Sequence, residues 1–181
     1  MESGDKGAEF GGRLYFDVAS RDVWHFYRFL TSAADRGAVL RLSWVPFLTT
    51  DDDASLRALA SFAAVKQDAT AEHGAYLQAL LSHHHLDGAP LDQDETYEGA
   101  AATAGIDVEL AVKAAGGREA VRAATDEARV LGVHATPTLY RHGPVLRIRV
   151  NPAALDGDVL GRLQRIDDVL GDDGIWVLEK P

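Results

Sequence analysis

Hydrophobic and polar residues follow two rhythms along this chain, and the switches between them mark its elements. Arg13–Val18 (RLYFDV) is a short aromatic and aliphatic run that reads as a buried strand. Ser20 follows as a helix N-cap, with Asp22 in the first turn, where the helix dipole favours an acid. Val23, Phe26, Tyr27, Leu30 and Ala34 recur at helical spacing, and Gly37 is the stop. In Val39–Phe47, Leu40, Leu42 and Trp44 alternate with Arg41 and Ser43, so the strand rhythm returns until Pro46 ends the pairing. This strand–helix–strand unit has the size of a βαβ crossover.

A long helical stretch comes next. Asp51, Asp52 and Asp53 lead into Leu56, Leu59, Ala60 and Ala63, and three acids there serve as cap and dipole partners. Helices are predicted around Tyr76–Leu81, over Glu95–Thr103 with Gly105 as the stop, from Asp107 to Ala115, and over Arg118–Leu131. The β rhythm returns in Thr138–Tyr140 and Val145–Val150, which flank a hairpin turn at residues 141–144. Asp158–Leu170 carries Val159, Leu160, Leu163, Ile166 and Leu170 on one helical face, and Ile175–Leu178 adds an edge strand or packs on the core. Two sheet-forming halves separated by helices predict one α/β domain over residues 13–181, with residues 54–115 as a helical insertion.

Composition narrows the function classes. Apolar residues are 46% of the 181, enough for a core, and charged residues are 25%. With 28 acids against 18 bases, the formal charge of −10 disfavours nucleic acid and anionic lipid as partners. No stretch approaches the ~18 consecutive apolar residues of a membrane helix. Residues 1–12 are polar and glycine-rich, which predicts a disordered leader and a cytoplasmic protein. There is no cysteine, so disulfides and thiolate metal sites are excluded.

Two local features make the pattern specific. The first is the turn Phe16-Asp17-Val18-Ala19-Ser20-Arg21-Asp22-Val23; the second is Leu131-Gly132-Val133-His134-Ala135-Thr136-Pro137-Thr138. Together with the element order they resemble the thioredoxin-like fold of the DsbA family. The first resembles that family's Cys-x-x-Cys turn, and the second its Gly-Val-x-x-Thr/Val-Pro-Thr segment, in which the proline is cis. Trp44-Val45-Pro46-Phe47 also resembles the family's second strand. Gly174-Ile175-Trp176-Val177-Leu178-Glu179-Lys180 resembles the C-terminus of actinobacterial members, including mycothiol-dependent nitroreductase-like proteins. The resemblance implies a thioredoxin-like fold with an α-helical insertion between a βαβ and a ββα half. It also implies a cis bond at Pro137.

Ser20 and Val23 stand where the cysteines would be, so dithiol oxidase, reductase or isomerase chemistry is excluded. The chain is also similar to kappa-class glutathione transferases and hydroxychromene-carboxylate isomerases, which place serine at the first of these positions. That similarity implies a low-molecular-weight thiol, mycothiol or glutathione, as a co-substrate with no covalently bound cofactor. Its thiolate would accept a hydrogen bond from Ser20 at a helix N-terminus that favours anions. Arg21 would support the charge and Asp22 oppose it. Thr136-Pro137 would present backbone groups to a thiol or peptide ligand, as an added strand does. Ser20 has a plain alternative as an N-cap.

Other candidates each carry two readings. His25 is a proton carrier or a helix-surface residue. Trp24 and Trp44 line an apolar pocket or belong to the core. His83-His84-His85 reads better as a polar helix end than as a metal site, because adjacent histidines on a helix point apart. The expected activity is thiol-dependent transferase or isomerase chemistry. The alternative is a non-catalytic binding module, or one that acts by forming a homodimer.

Overall fold

The computed structural model describes residues 9–68, 72–113, 117–141, 143, 145–151 and 157–171. Strand β1 (Glu9–Phe16) pairs in parallel with β2 (Val39–Pro46), and helix α1 (Arg21–Ala34) makes the crossover between them. The register sets Phe10 beside Leu40 and Leu14 beside Trp44, so the apolar side chains of both strands share one face. On the other side of β1, β3 (Thr138–Tyr140) runs antiparallel with Leu139 opposite Leu14, and β4 (Val145–Arg147) pairs antiparallel with β3. The strand order is β2-β1-β3-β4.

Helix α7 (Val159–Gly171) joins α1 on one face of the sheet. Phe10, Leu14, Phe26, Phe29, Leu139 and Leu163 form the core between them. Helix α6 (Gly117–Val130) covers the other face, where Ala128 and Val133 meet Tyr15 and Phe47. Between β2 and α6 in the sequence lie α2 (Asp53–Gln67), α3 (His73–His85), α4 (Asp94–Ala104) and α5 (Val108–Val112). Their core, around Leu59, Phe62, Tyr76, Leu80 and Tyr97, is continuous with Phe16, Val18, Val23 and Trp24 at the end of β1 and the start of α1. The helical block therefore packs directly on the β1–α1 turn.

The structure differs from the pattern-based expectation at several boundaries. β1 begins at Glu9, so residues 9–12 belong to the sheet rather than to a leader. Its glycines carry no strand signal, but each of residues 9–12 has a partner in β2. At Gly12, with φ of +142°, a Cβ would lie 2.9 Å from the Tyr140 carbonyl oxygen, so glycine allows the close approach of β3. β1 also ends at Phe16, which leaves Asp17 and Val18 in the turn. Helix α3 runs from His73 to His85, longer at both ends than the apolar spacing predicts. Residues 1–8, the proposed strand at Ile175–Leu178 and the C-terminal likeness at Gly174–Lys180 lie outside the described residues, as do His142 and Pro144 of the hairpin turn.

Candidate active site at the start of helix α1

The site is built where β1 gives way to α1. Ser20 has extended backbone angles and caps the helix: its Oγ accepts from Val23 N at 3.4 Å, while its own N–H donates to the Asp17 carbonyl at 3.1 Å. The first N–H groups of the helix, at Arg21 and Asp22, precede the intrahelical ladder and face outward as donors. Arg21 is exposed and Ser20 half-buried. Asp22 is paired with Arg149, which follows β4, at 3.4 Å. Val23, which stands where the resemblance would put a second cysteine, is 1% exposed and belongs to the core. Nothing there can resolve a covalent intermediate.

The Gly132–Thr138 segment follows α6 and leads into β3. Gly132 takes φ of +89°, and the Thr136–Pro137 peptide bond is cis. The Pro137 carbonyl accepts from Ile148 N at 2.9 Å, and Thr138 Oγ1 donates to the Ala135 carbonyl at 2.6 Å, so both flanks of the bend are tied down. Thr136 is only 4% exposed. Among the described residues, no backbone hydrogen bond outside the helices and strands uses the Thr136 N–H or C=O.

One buried acid joins these two segments. Asp17, 3% exposed, accepts from Ala19 N at 3.1 Å and from Thr49 N at 3.2 Å. The hydroxyls of Thr49 and Ser55 also bond to it. Burial pushes its carboxyl above the ordinary 3.8, and these hydrogen bonds pull the other way. Thr49 Oγ1 in turn lies 3.2 Å from Thr136 Oγ1. A hydrogen-bonded chain thus runs from the Ser20 turn through Asp17 and Thr49 to the proline segment. No sequence signal marks Asp17, which the apolar run Arg13–Val18 takes in as part of a strand.

Of the remaining candidates, His25 lies half-buried on α1. Trp24 is 8% exposed and turned into the core, stacked between Tyr27 at 6.2 Å and His85 at 5.8 Å. Trp44 is half-buried and meets the Phe16 ring edge-on at 5.5 Å. His85 borders the candidate site and has no local signature in the sequence. From the end of α3 its Nε2 donates to the Val18 carbonyl at 2.8 Å, pinning the β1–α1 turn to the helical block. Burial, opposed by that hydrogen bond and reinforced by His84, Arg21 and His25, lowers its pKa to about 4. The imidazole is therefore neutral at pH 7. Its neighbours point elsewhere: His83 pairs with Asp87 at 3.1 Å, and His84 Nδ1 bonds the Ala89 carbonyl at 2.9 Å. No group of three metal-ligating side chains forms among the described residues, and no helix there is long and apolar enough to cross a membrane.

No protein-family model matches the sequence, and no curated protein matches it. Solved structures do match the fold. A 2-hydroxychromene-2-carboxylate isomerase superposes with a TM-score of 0.61 at 15% identity, over 90% of this chain and 100% of that one. The oxidoreductase DsbA from Xylella fastidiosa gives 0.61 at 17% identity, over 87% and 86%. This chain has the DsbA-like thioredoxin fold. A protein from Pseudomonas syringae described as a putative protein-disulfide isomerase gives 0.53 at 17% identity, over 86% and 92%. At these identities the likeness is one of fold. The absence of cysteine keeps this DsbA-like chain out of dithiol chemistry.

Proposed function

We propose that the protein binds a low-molecular-weight thiol, glutathione or mycothiol, at the start of α1 and uses its thiolate in transferase or isomerase chemistry. The observation that carries this reading is the state of the Ser20 hydroxyl. Its oxygen accepts one long hydrogen bond, from Val23 N at 3.4 Å, and its proton has no intramolecular acceptor among the described residues. It is a donor at a helix N-terminus, where the unpaired N–H groups of Arg21 and Asp22 also favour an anion.

The magnitudes suit the task. A hydrogen bond to a charged group contributes about 1.5–3 kcal/mol, and one pKa unit corresponds to ~1.4 kcal/mol. Ser20 alone would lower the pKa of a bound thiol by about one to two units. Asp22 would oppose this, but Arg149 offsets its charge. The Thr136 N–H and C=O would pair with the rest of the ligand as an added strand does, which requires local opening, since the residue is 4% exposed. Asp17 and His85 act as positioning residues: one joins the two segments, the other holds the turn.

Calorimetric titration with glutathione and with mycothiol tests this. Binding of either, weakened about tenfold or more by Ser20→Ala, supports the reading. No heat with either thiol at about 5 mM sinks it. A second reading is a non-catalytic module, favoured by the fact that Ser20 also satisfies the helix as an ordinary cap. Turnover of a thiol-conjugation substrate, abolished by Ser20→Ala, would exclude that.

A further inference from the structure

Lysine is seldom taken out of water without an acid beside it. Lys66, in the last turn of α2, is half-buried, yet none of the ion pairs among the described residues uses it. Its Nζ donates to the Trp44 carbonyl on edge strand β2 at 2.6 Å. An ammonium has three N–H donors, and this carbonyl takes one. Burial lowers its pKa below the ordinary 10.5, with no charged neighbour contributing.

The space beside it has a structural cause. α2 and α6 touch at Gly117, where a Cβ would come within 2.4 Å of the Ala60 carbonyl oxygen. One turn further along each helix the facing residues are Ala63 and Ala120, then Ala124. These small side chains leave an open groove of about 280 Å³, bordered by Pro46 and Val121, with half-buried Lys66 and exposed Gln67 as its polar residues. That is near the lower end of the ~300–1,000 Å³ typical of small-molecule sites. Apolar walls with one cation and one amide form the complement of a small molecule with an apolar body and a single negative charge.

We propose that this groove binds a small monocarboxylic acid, its carboxylate on Lys66 Nζ and the Gln67 amide and its apolar body against the alanine walls of α2 and α6. The site is separate from the start of α1 and does not depend on thiol binding there. Its one cation gives a carboxylate a charge-assisted hydrogen bond that an uncharged match lacks, so it discriminates by charge rather than by size alone.

The test is a ligand-observed NMR titration of the whole protein with phenylacetate and hexanoate, beside phenylacetamide and hexanol as uncharged matches. The acids should bind at least about tenfold tighter than the matches. Lys66→Met, which keeps the stem and removes the charge, should erase that difference. Ala124→Leu, which fills the groove, should abolish binding of all four, and Ser20→Ala should leave it unchanged. The proposal is overturned if neither acid binds at about 10 mM, if Lys66→Met binds the acids as well as the native chain, or if Ala124→Leu does so. The Ser20→Ala arm keeps this outcome independent of the thiol reading.

Discussion

His85 makes the fold of this protein sensitive to mild acid, and the size of the effect follows from its surroundings. In the unfolded chain the imidazole takes up a proton near the ordinary 6.5; in the fold it resists until about 4. Below 6.5 the unfolded state therefore binds more protons than the native one. The stability His85 contributes is complete above pH 6.5 and is lost as pH falls towards 4. At ~1.4 kcal/mol per pKa unit, the full displacement corresponds to about 3 kcal/mol. The ring is only half-buried, and water screens the charge, so roughly half of that is the fair expectation. The perturbation is His85→Gln, whose amide can still donate to the Val18 carbonyl but does not titrate. Urea unfolding followed by tryptophan fluorescence, repeated from about pH 7.5 to about pH 4.5, gives the comparison. The native chain should lose about 1–1.5 kcal/mol more than the variant across that range. Loss of ring stacking on Trp24 shifts the variant by a constant amount and leaves the slope alone. Asp17 acts with the opposite sign, because its raised pKa stabilises the fold as pH falls, but it is present in both proteins and cancels. Parallel stability curves for the two proteins would refute the reasoning.

Two further outcomes follow from the packing. Gly117→Ala drives a methyl group into the Ala60 backbone at 2.4 Å, so α2 and α6 must separate; the cost should be about 1–3 kcal/mol or more, read as a lower urea midpoint. Tyr76→Phe removes the buried hydroxyl that lies 2.5 Å from Ser61 Oγ, while Ser61 keeps its bond to the Ala111 carbonyl at 2.6 Å. It should cost about 1–2 kcal/mol and leave thiol affinity unchanged.

The fold was largely legible in the sequence because its signals are local. Alternation in Leu40, Leu42 and Trp44, helical spacing from Val23 to Ala34, and the caps Ser20, Asp52 and Asp107 all report on residues a few positions apart. Glu9–Gly12 escaped because a strand with two glycines is held by its partner β2, not by its own propensity. The candidate site was legible only at its two ends, Ser20 and Thr136-Pro137. What joins them is long-range: His85 meets Val18 across 67 residues, and Thr49 meets Thr136 across 87. A buried aspartate and a neutral histidine look locally like any turn acid or helix-end histidine. Trp24, which the sequence leaves between a pocket wall and the core, packs into the core. Lys66 likewise resembles an ordinary basic residue at a helix end until its bond to the Trp44 carbonyl and the groove beside α6 are seen.

The role proposed for the start of α1 is to hold a small thiol as its thiolate. With no cysteine in the protein, every thiolate signal in a mixture belongs to the ligand. Ultraviolet titration of glutathione or mycothiol, bound by an excess of the protein, is the most direct measurement. The bound thiol should ionise about one to two units below the ~8.5 of a free thiol, and Ser20→Ala should return it most of the way. A bound thiol that ionises where the free one does, or one unmoved by Ser20→Ala, would contradict that role.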